Sequence, residues 1–126
     1  MPSKEQDDME WLIDLSTWRP APDVSAQPKI QLAHWRVLMD YAGLRYLVGL
    51  LANNATLRIT TAIKTGDLVS RTWRTASGRV YETPGPPTED WQLREQMSLL
   101  ARASGLGEGS RDVTAVVWRA MQGAVQ

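Results

Sequence analysis

Residues 72–87 read TWRTASGRVYETPGPP, and the parsing of this stretch decides the fold. Trp73, Thr75, Val80 and Tyr81 favour strands, Ser77-Gly78 is a turn signal between the two runs, and Gly85-Pro86-Pro87 stops the second run because proline has no N–H to give to a ladder. A two-residue Ser77-Gly78 loop predicts Ala76 opposite Arg79, Thr75 opposite Val80, Arg74 opposite Tyr81 and Trp73 opposite Glu82. That register places Thr72, Arg74, Arg79 and Tyr81 on one face. Trp73, Thr75 and Val80 fall on the other, the face expected to be buried.

Strand patterns continue upstream. Residues 57–65, LRITTAIKT, alternate with period two and lead through Gly66-Asp67 into the hairpin. Residues 44–52, LRYLVGLLA, are apolar on both faces, as a covered central strand must be, and Gly49 within them predicts a bulge or a close backbone approach. Residues 31–39, QLAHWRVLM, set Ala33, Trp35, Val37 and Met39 against His34, Arg36 and Leu38.

Downstream the period changes to that of a helix. Thr88 followed by Glu89 and Asp90 predicts a cap, and Leu93, Met97, Leu100 and Ala101 form one apolar face of a helix over 89–103 that ends at Gly105. Ser110 is expected to cap a second helix with a stripe of Val113, Val116, Val117, Ala120 and Met121. Near the N-terminus, Met9, Leu12 and Ile13 with Trp11, Leu15 and Trp18 predict a short helix over 9–17, closed by Arg19-Pro20 and followed by a linker over 20–29. The expected architecture is α+β: a five-stranded antiparallel meander over 31–83, C-terminal helices packed on one face, and a short acidic N-terminal helical arm. The arm and linker occupy 1–28, and 29–126 form a single domain.

The chain of 126 residues has fourteen basic and fourteen acidic side chains, so no net field draws the whole molecule to nucleic acid or membrane. The charges are segregated, however. Residues 1–28 carry six acids and two bases, whereas residues 29–82 carry eight bases and three acids. The absence of cysteine removes disulfides, thiolate nucleophiles and cysteine zinc sites. No basic start followed by an apolar run and no 18-residue apolar stretch is present, so neither a signal peptide nor a transmembrane helix is expected, and the location is expected to be cytoplasmic. Six tryptophans and no phenylalanine are a choice that suits interfaces, where one side of the ring is apolar and the other wet.

No pattern specifies a reaction. His34 is the single histidine and stands mid-strand without a nucleophile elbow, and Asp7, Asp8, Glu10 and Asp14 lack calcium-loop spacing. Gly105-Leu106-Gly107-Glu108-Gly109 lacks the lysine of a phosphate-binding loop and follows a helix. Glu82, Glu89, Asp90 and Glu95 have no spacing that makes an acid and base pair. No catalytic residue, metal or cofactor is therefore expected. The candidate binding face consists of Arg58, Lys64, Arg74 and Arg79 beside Tyr81, and Trp11, Leu15 and Trp18 form a candidate partner arm.

Leu32-Ala33-His34-Trp35-Arg36-Val37, Tyr46-Leu47-Val48-Gly49, Thr61-Ala62-Ile63 and the spacing from Ser77-Gly78-Arg79-Val80-Tyr81 to Gly85-Pro86-Pro87 resemble a family of small, uncharacterised proteobacterial proteins carried by prophages and other mobile elements. The resemblance spans less than half of the chain. It departs at Leu50, where an aromatic is usual, and at Thr88, where glycine is usual. It implies an accessory protein of a mobile element and carries no activity or site residues with it.

The expected function is thus a non-enzymatic protein-binding module, acting as an inhibitor of a host or defence factor. The alternative is a nucleic-acid-binding accessory protein whose basic sheet is covered by the acidic arm until displaced. A protein partner, no membrane, and a monomeric or homodimeric state complete the reading.

Overall fold

The computed structural model describes residues 29–53, 55–107 and 109–124. The arm expected over 1–28, with Trp11, Leu15 and Trp18, lies outside the described residues. The elements in chain order are β1 (Lys29–Met39), β2 (Arg45–Leu51), β3 (Leu57–Ile59), β4 (Ile63–Asp67), β5 (Thr72–Thr75), β6 (Val80–Glu82), α1 (Trp91–Ala103), β7 (Arg111–Asp112) and α2 (Thr114–Ala124). The fold is α+β, with a mostly antiparallel sheet of strand order β3-β2-β1-β6-β5-β4 and β7 added on β1.

The sheet is not the five-stranded meander. Two differences account for this, and each has a local cause. First, the expected strand 57–65 breaks at residues 60–62. Thr60 Oγ1 accepts from Leu47 N–H at 3.1 Å and donates to Thr61 O at 2.7 Å, so a side chain takes over where the ladder would continue. Ala62 O then accepts from Ala76 N–H at 2.8 Å, on the other side of the sheet. Second, β6 returns to pair with β1 in parallel, with Lys29 opposite Val80 and Gln31 opposite Glu82.

Together these features force curvature. Six strands laid flat separate the outer two by about 24 Å, five steps of about 4.8 Å. The link from Ile59 to Ile63 spans at most about 14 Å. Because β3 and β4 are the outer strands of the order, the sheet must curl until its two edges approach.

The inner side of the curl collects Ile30, Leu32, Trp35, Val37, Leu47, Leu51, Trp73 and Tyr81 from four strands, closed by Val117 and Met121 of α2. The outer side carries Leu38, Tyr46, Val48, Ile59 and Ala62, covered by Met97 and Ala101 of α1 and by Leu106. The two helices thus cover opposite faces, not one. The apolar character of β2 on both faces demands this, since each face needs its own cover.

A bulge in β1 keeps its apolar residues on the inner side. Ala33 faces Leu50 and Arg36 faces Val48, so His34 and Trp35 together oppose Gly49. His34 takes a φ of 50°, a left-handed conformation uncommon for a residue with a side chain. The extra residue shifts the alternation, so that Ile30 and Leu32 before it and Trp35 and Val37 after it share one cluster. Gly49 is required here: a Cβ on it would lie 3.2 Å from Ala33 O and from Trp35 Cα and Cβ.

The hairpin register differs by one residue from the sequence expectation. Thr75 N–H donates to Arg79 O at 3.0 Å, Arg74 faces Val80, and Trp73 faces Tyr81. The loop therefore has three residues, Ala76-Ser77-Gly78, with Gly78 alone at positive φ (89°). A two-residue type I′ turn would have put Ser77 there as well, so the longer loop removes strain. The slip reverses the second strand only: Trp73 and Thr75 are buried as expected, while Arg79 and Tyr81 turn to the buried face in place of Val80.

The helix ends set the positions used below. Asp90, not Thr88, caps α1, its side chain accepting from Gln92 N–H at 2.9 Å and Leu93 N–H at 3.2 Å. The helix ends in a Schellman motif: Gly105 N–H donates to Arg102 O and Leu106 N–H to Ala101 O, both at 3.1 Å, with Gly105 at φ 95°. Ser110 does not cap α2. Asp112 does this work, Oδ1 accepting from Thr114 N–H at 2.9 Å, and the two-residue β7 precedes the helix.

Candidate binding groove between α1 and β7

The basic face read from the sequence is dispersed by the fold. Arg58 and Arg79 are 2% and 4% exposed and Tyr81 is fully buried, while Lys64 and Arg74 remain exposed. The cause is the curl and the hairpin register, which turn Arg79 and Tyr81 inward. Lys64 sits at a register shift in β4, between Ile63 opposite Thr75 and Thr65 opposite Arg74. A bulged lysine on an edge strand blocks pairing with another chain, which accounts for its position without a ligand.

The residues that the structure does bring together were not singled out in the sequence. Arg36 projects from β1 to the outer side of the sheet and is nearly buried. Its Nε donates to Asp112 Oδ2 at 3.0 Å, and its Nη1 donates to Thr88 O at 2.8 Å and to Glu89 Oε2 at 3.2 Å. Arg94, one turn into α1, closes a ring: Nη1 lies 3.6 Å from Glu89 Oε1 and Nη2 lies 3.5 Å from Asp112 Oδ2. Two guanidiniums and two carboxylates from four chain segments thus fix α1 and β7 to β1. Burial alone would raise the Asp112 carboxyl, but hydrogen bonds from Arg36 and from the Thr114 hydroxyl and amide outweigh it and hold the group below its ordinary range.

Above this ring, a groove of about 670 Å³ runs between α1 and β7. Arg36, Leu38, Met97 and Ala101 line its floor, and its walls carry Trp91, Arg94, Glu95, Ser98, Arg102, Ser110, Arg111 and Asp112. Trp91 is 69% exposed. Arg102 and Arg111 form no ion pair among the described residues. The α1 positions 91, 94, 95, 98 and 102 follow helical spacing, so one face of the helix presents an indole at one end and a guanidinium at the other. The lining carries four arginines against Glu95 and Asp112, and this surface is cationic.

His34 lies on a different, more apolar concavity of about 560 Å³, formed with Leu32, Leu50 and the Pro84–Pro87 segment. Gly105 and Gly107, both at positive φ, belong to the exit of α1. Among the described residues no three His, Cys, Asp or Glu side chains stand together as a metal site, and no helix is long and apolar enough to cross a membrane. A sequence signal for the groove existed in Arg36, a charged residue between Trp35 and Val37 in a run that stays buried through Leu38. Its partners lie about fifty and about seventy-five residues away, so nothing local announces them.

No protein family, curated protein or solved structure matches the chain.

Proposed function

We propose that this chain is a non-enzymatic protein-binding module that holds an acidic segment of its partner in the groove between α1 and β7. The observation that carries the reading is Trp91, a large indole left 69% exposed at the end of a groove whose opposite end bears Arg102 and Arg111. Tryptophan and arginine dominate interface energetics because each presents a large contact area with a directed polar group. The Arg36–Asp112–Arg94–Glu89 ring holds the walls in place before a partner arrives, which lowers the ordering cost of binding. On the resemblance over Gln31–Pro87, the partner is a host or defence factor and the chain an accessory protein of a mobile element.

Nucleic acid is the weaker reading. Three of the five residues that supported it, Arg58, Arg79 and Tyr81, are buried. The test is capture from host lysate by the tagged full chain, with nuclease present, compared with Trp91→Ala and with Arg102→Glu/Arg111→Glu. One protein retained through nuclease and lost from both variants is the expected result. Retention that disappears with nuclease, or that survives both variants, refutes the groove reading.

A further inference from the structure

Arg36 is the charged side chain at the floor of the groove between α1 and β7, and only 6% of the residue is exposed. A guanidinium carries five N–H groups in one rigid plane. Nε and Nη1 donate to Asp112, Thr88 and Glu89, and Nη2 has no hydrogen-bond partner among the described residues. Thr88 and Glu89 border the neighbouring concavity, whereas Asp112 stands on the groove wall. Buried donors are as a rule satisfied, so two spare N–H groups beneath an open groove mark a place for an acceptor from outside the chain.

Arg94 adds to the same surplus of donors. Its contacts with Glu89 and Asp112, at 3.6 and 3.5 Å, are longer than a hydrogen bond, and it lines the groove together with Arg36. Arg36 Nε and Arg94 Nη2 both approach Asp112 Oδ2, and two guanidiniums that meet at one carboxylate oxygen stand close enough to meet at another. The ring is therefore balanced in charge but not in hydrogen bonds. Arg102 and Arg111 on the walls then tip the charge of the groove to positive.

We infer that the groove floor is a carboxylate-reading site: one Asp or Glu side chain of the partner's acidic segment accepts from Nη2 of Arg36 and from Arg94. Trp91, Arg102 and Arg111 hold the residues on either side of it. This rests on the groove reading above and adds the one position at which both the charge and the planar shape of the partner's group are selected. Arginine makes such a selection because its fork meets both oxygens of a carboxylate. An Asn or Gln at that position brings a single acceptor oxygen and no charge.

The test is a magnetic-resonance titration of the isotope-labelled full chain with an acetylated, amidated tetraglutamate peptide and with its tetraglutamine counterpart. The Nε–H signal of Arg36, protected from exchange by burial and by its bond to Asp112, should shift with tetraglutamate together with the Trp91 indole signal. Tetraglutamine should move neither. Arg94→Gln should weaken tetraglutamate binding about tenfold, the scale of hydrogen bonds to a charged group. Arg94 is 41% exposed, so the variant keeps its fold. Arg119→Gln removes the same charge from α2, which covers the opposite face of the sheet, and should weaken binding less than about twofold. Shifts at Trp91, Arg102 and Arg111 with Arg36 unmoved, or equal losses in the two variants, overturn the floor site and leave the groove reading standing. Equal shifts with both peptides overturn it as well. Silence at all four residues refutes the acidic occupant itself, and the two readings then fall together.

Discussion

The indole N–H of Trp35 donates to the carbonyl oxygen of Gly85 across 2.9 Å, which fastens the Gly-Pro-Pro segment to the bulge of β1. Thr88 N–H returns a bond to Trp35 O at 3.2 Å, so one residue holds the entry to α1 from both its side chain and its backbone. Trp35→Phe keeps an aromatic in the core but leaves Gly85 O without this donor and opens a void. The expected cost is about 2–4 kcal/mol, combining a lost, partly buried hydrogen bond with a cavity, and chemical denaturation of the variant checks it.

Gly49 and Gly85 should respond oppositely to the same change. At Gly49 a new Cβ meets backbone atoms of Ala33 and Trp35 at 3.2 Å, atoms of the bulge that cannot rotate away. Gly49→Ala should cost about 1–3 kcal/mol. Nothing lies within 4 Å of a Cβ at Gly85, and Gly85→Ala should fall within about 0.5 kcal/mol of the parent. Urea midpoints of the two variants, measured side by side, give the comparison.

Asp112 should set part of the acid limit of stability. Its carboxyl is held below its ordinary value of 3.8 in the folded chain, so the folded state prefers the ionised form. The associated stability is complete above the unfolded value and is lost as pH falls through the lower folded one. Asp112→Asn removes this dependence. Unfolding free energies between pH 2 and pH 6, roughly the range in which carboxylates titrate, should slope less steeply in the variant.

Tyr46 should act at the alkaline end with the reverse sign. Burial, then the hydrogen bond to Asp40 and its negative charge, push its hydroxyl from 10.0 to about 12. The folded state holds the proton more tightly, so the contribution is present below pH 10 and lost as pH rises toward 12. In Tyr46→Phe that fall should disappear when the unfolding free energy is followed from pH 10 to about 12.

Arg36 should matter more than Arg94 although both touch Asp112 and Glu89. Arg36 has 7% of its side chain exposed and Arg94 has 41%, and a pair near water contributes little. Arg36→Met should cost about 1–3 kcal/mol and Arg94→Met less than about 1 kcal/mol. The double variant, measured with the two singles, should reveal coupling through the shared Asp112 carboxylate.

Local features were legible in the sequence, and neighbour relations were not. Gly85-Pro86-Pro87 announced the end of β6, and Leu93, Met97, Leu100 and Ala101 announced the buried stripe of α1, because each of these acts within a few residues of itself; Gly49 announced a close backbone approach, which the bulge of β1 makes. Periodicity reports which face a side chain takes but not which strand lies beside it. Hence the parallel return of β6 to β1 and the split of 57–65 went unread, and a one-residue change of loop at Ala76 reversed the faces of Arg79 and Tyr81. The groove was hidden for the same reason. Arg36, Glu89, Arg94 and Asp112 look like four scattered surface charges until the sheet brings their segments together.

The pairing of β1 with β6 also sets the order in which the protein can be made. β1 meets β2 across a short turn, but its other edge waits for Val80 about fifty residues later and for Asp112 later still. Contacts so distant along the chain close slowly, because the entropy of the intervening loop is lost before any ladder bond repays it. During synthesis the first strand therefore stands half-paired while the rest of the sheet emerges. In that interval Trp35, Val37 and Leu38 are uncovered, and exposed apolar side chains beside an unpaired strand edge favour aggregation.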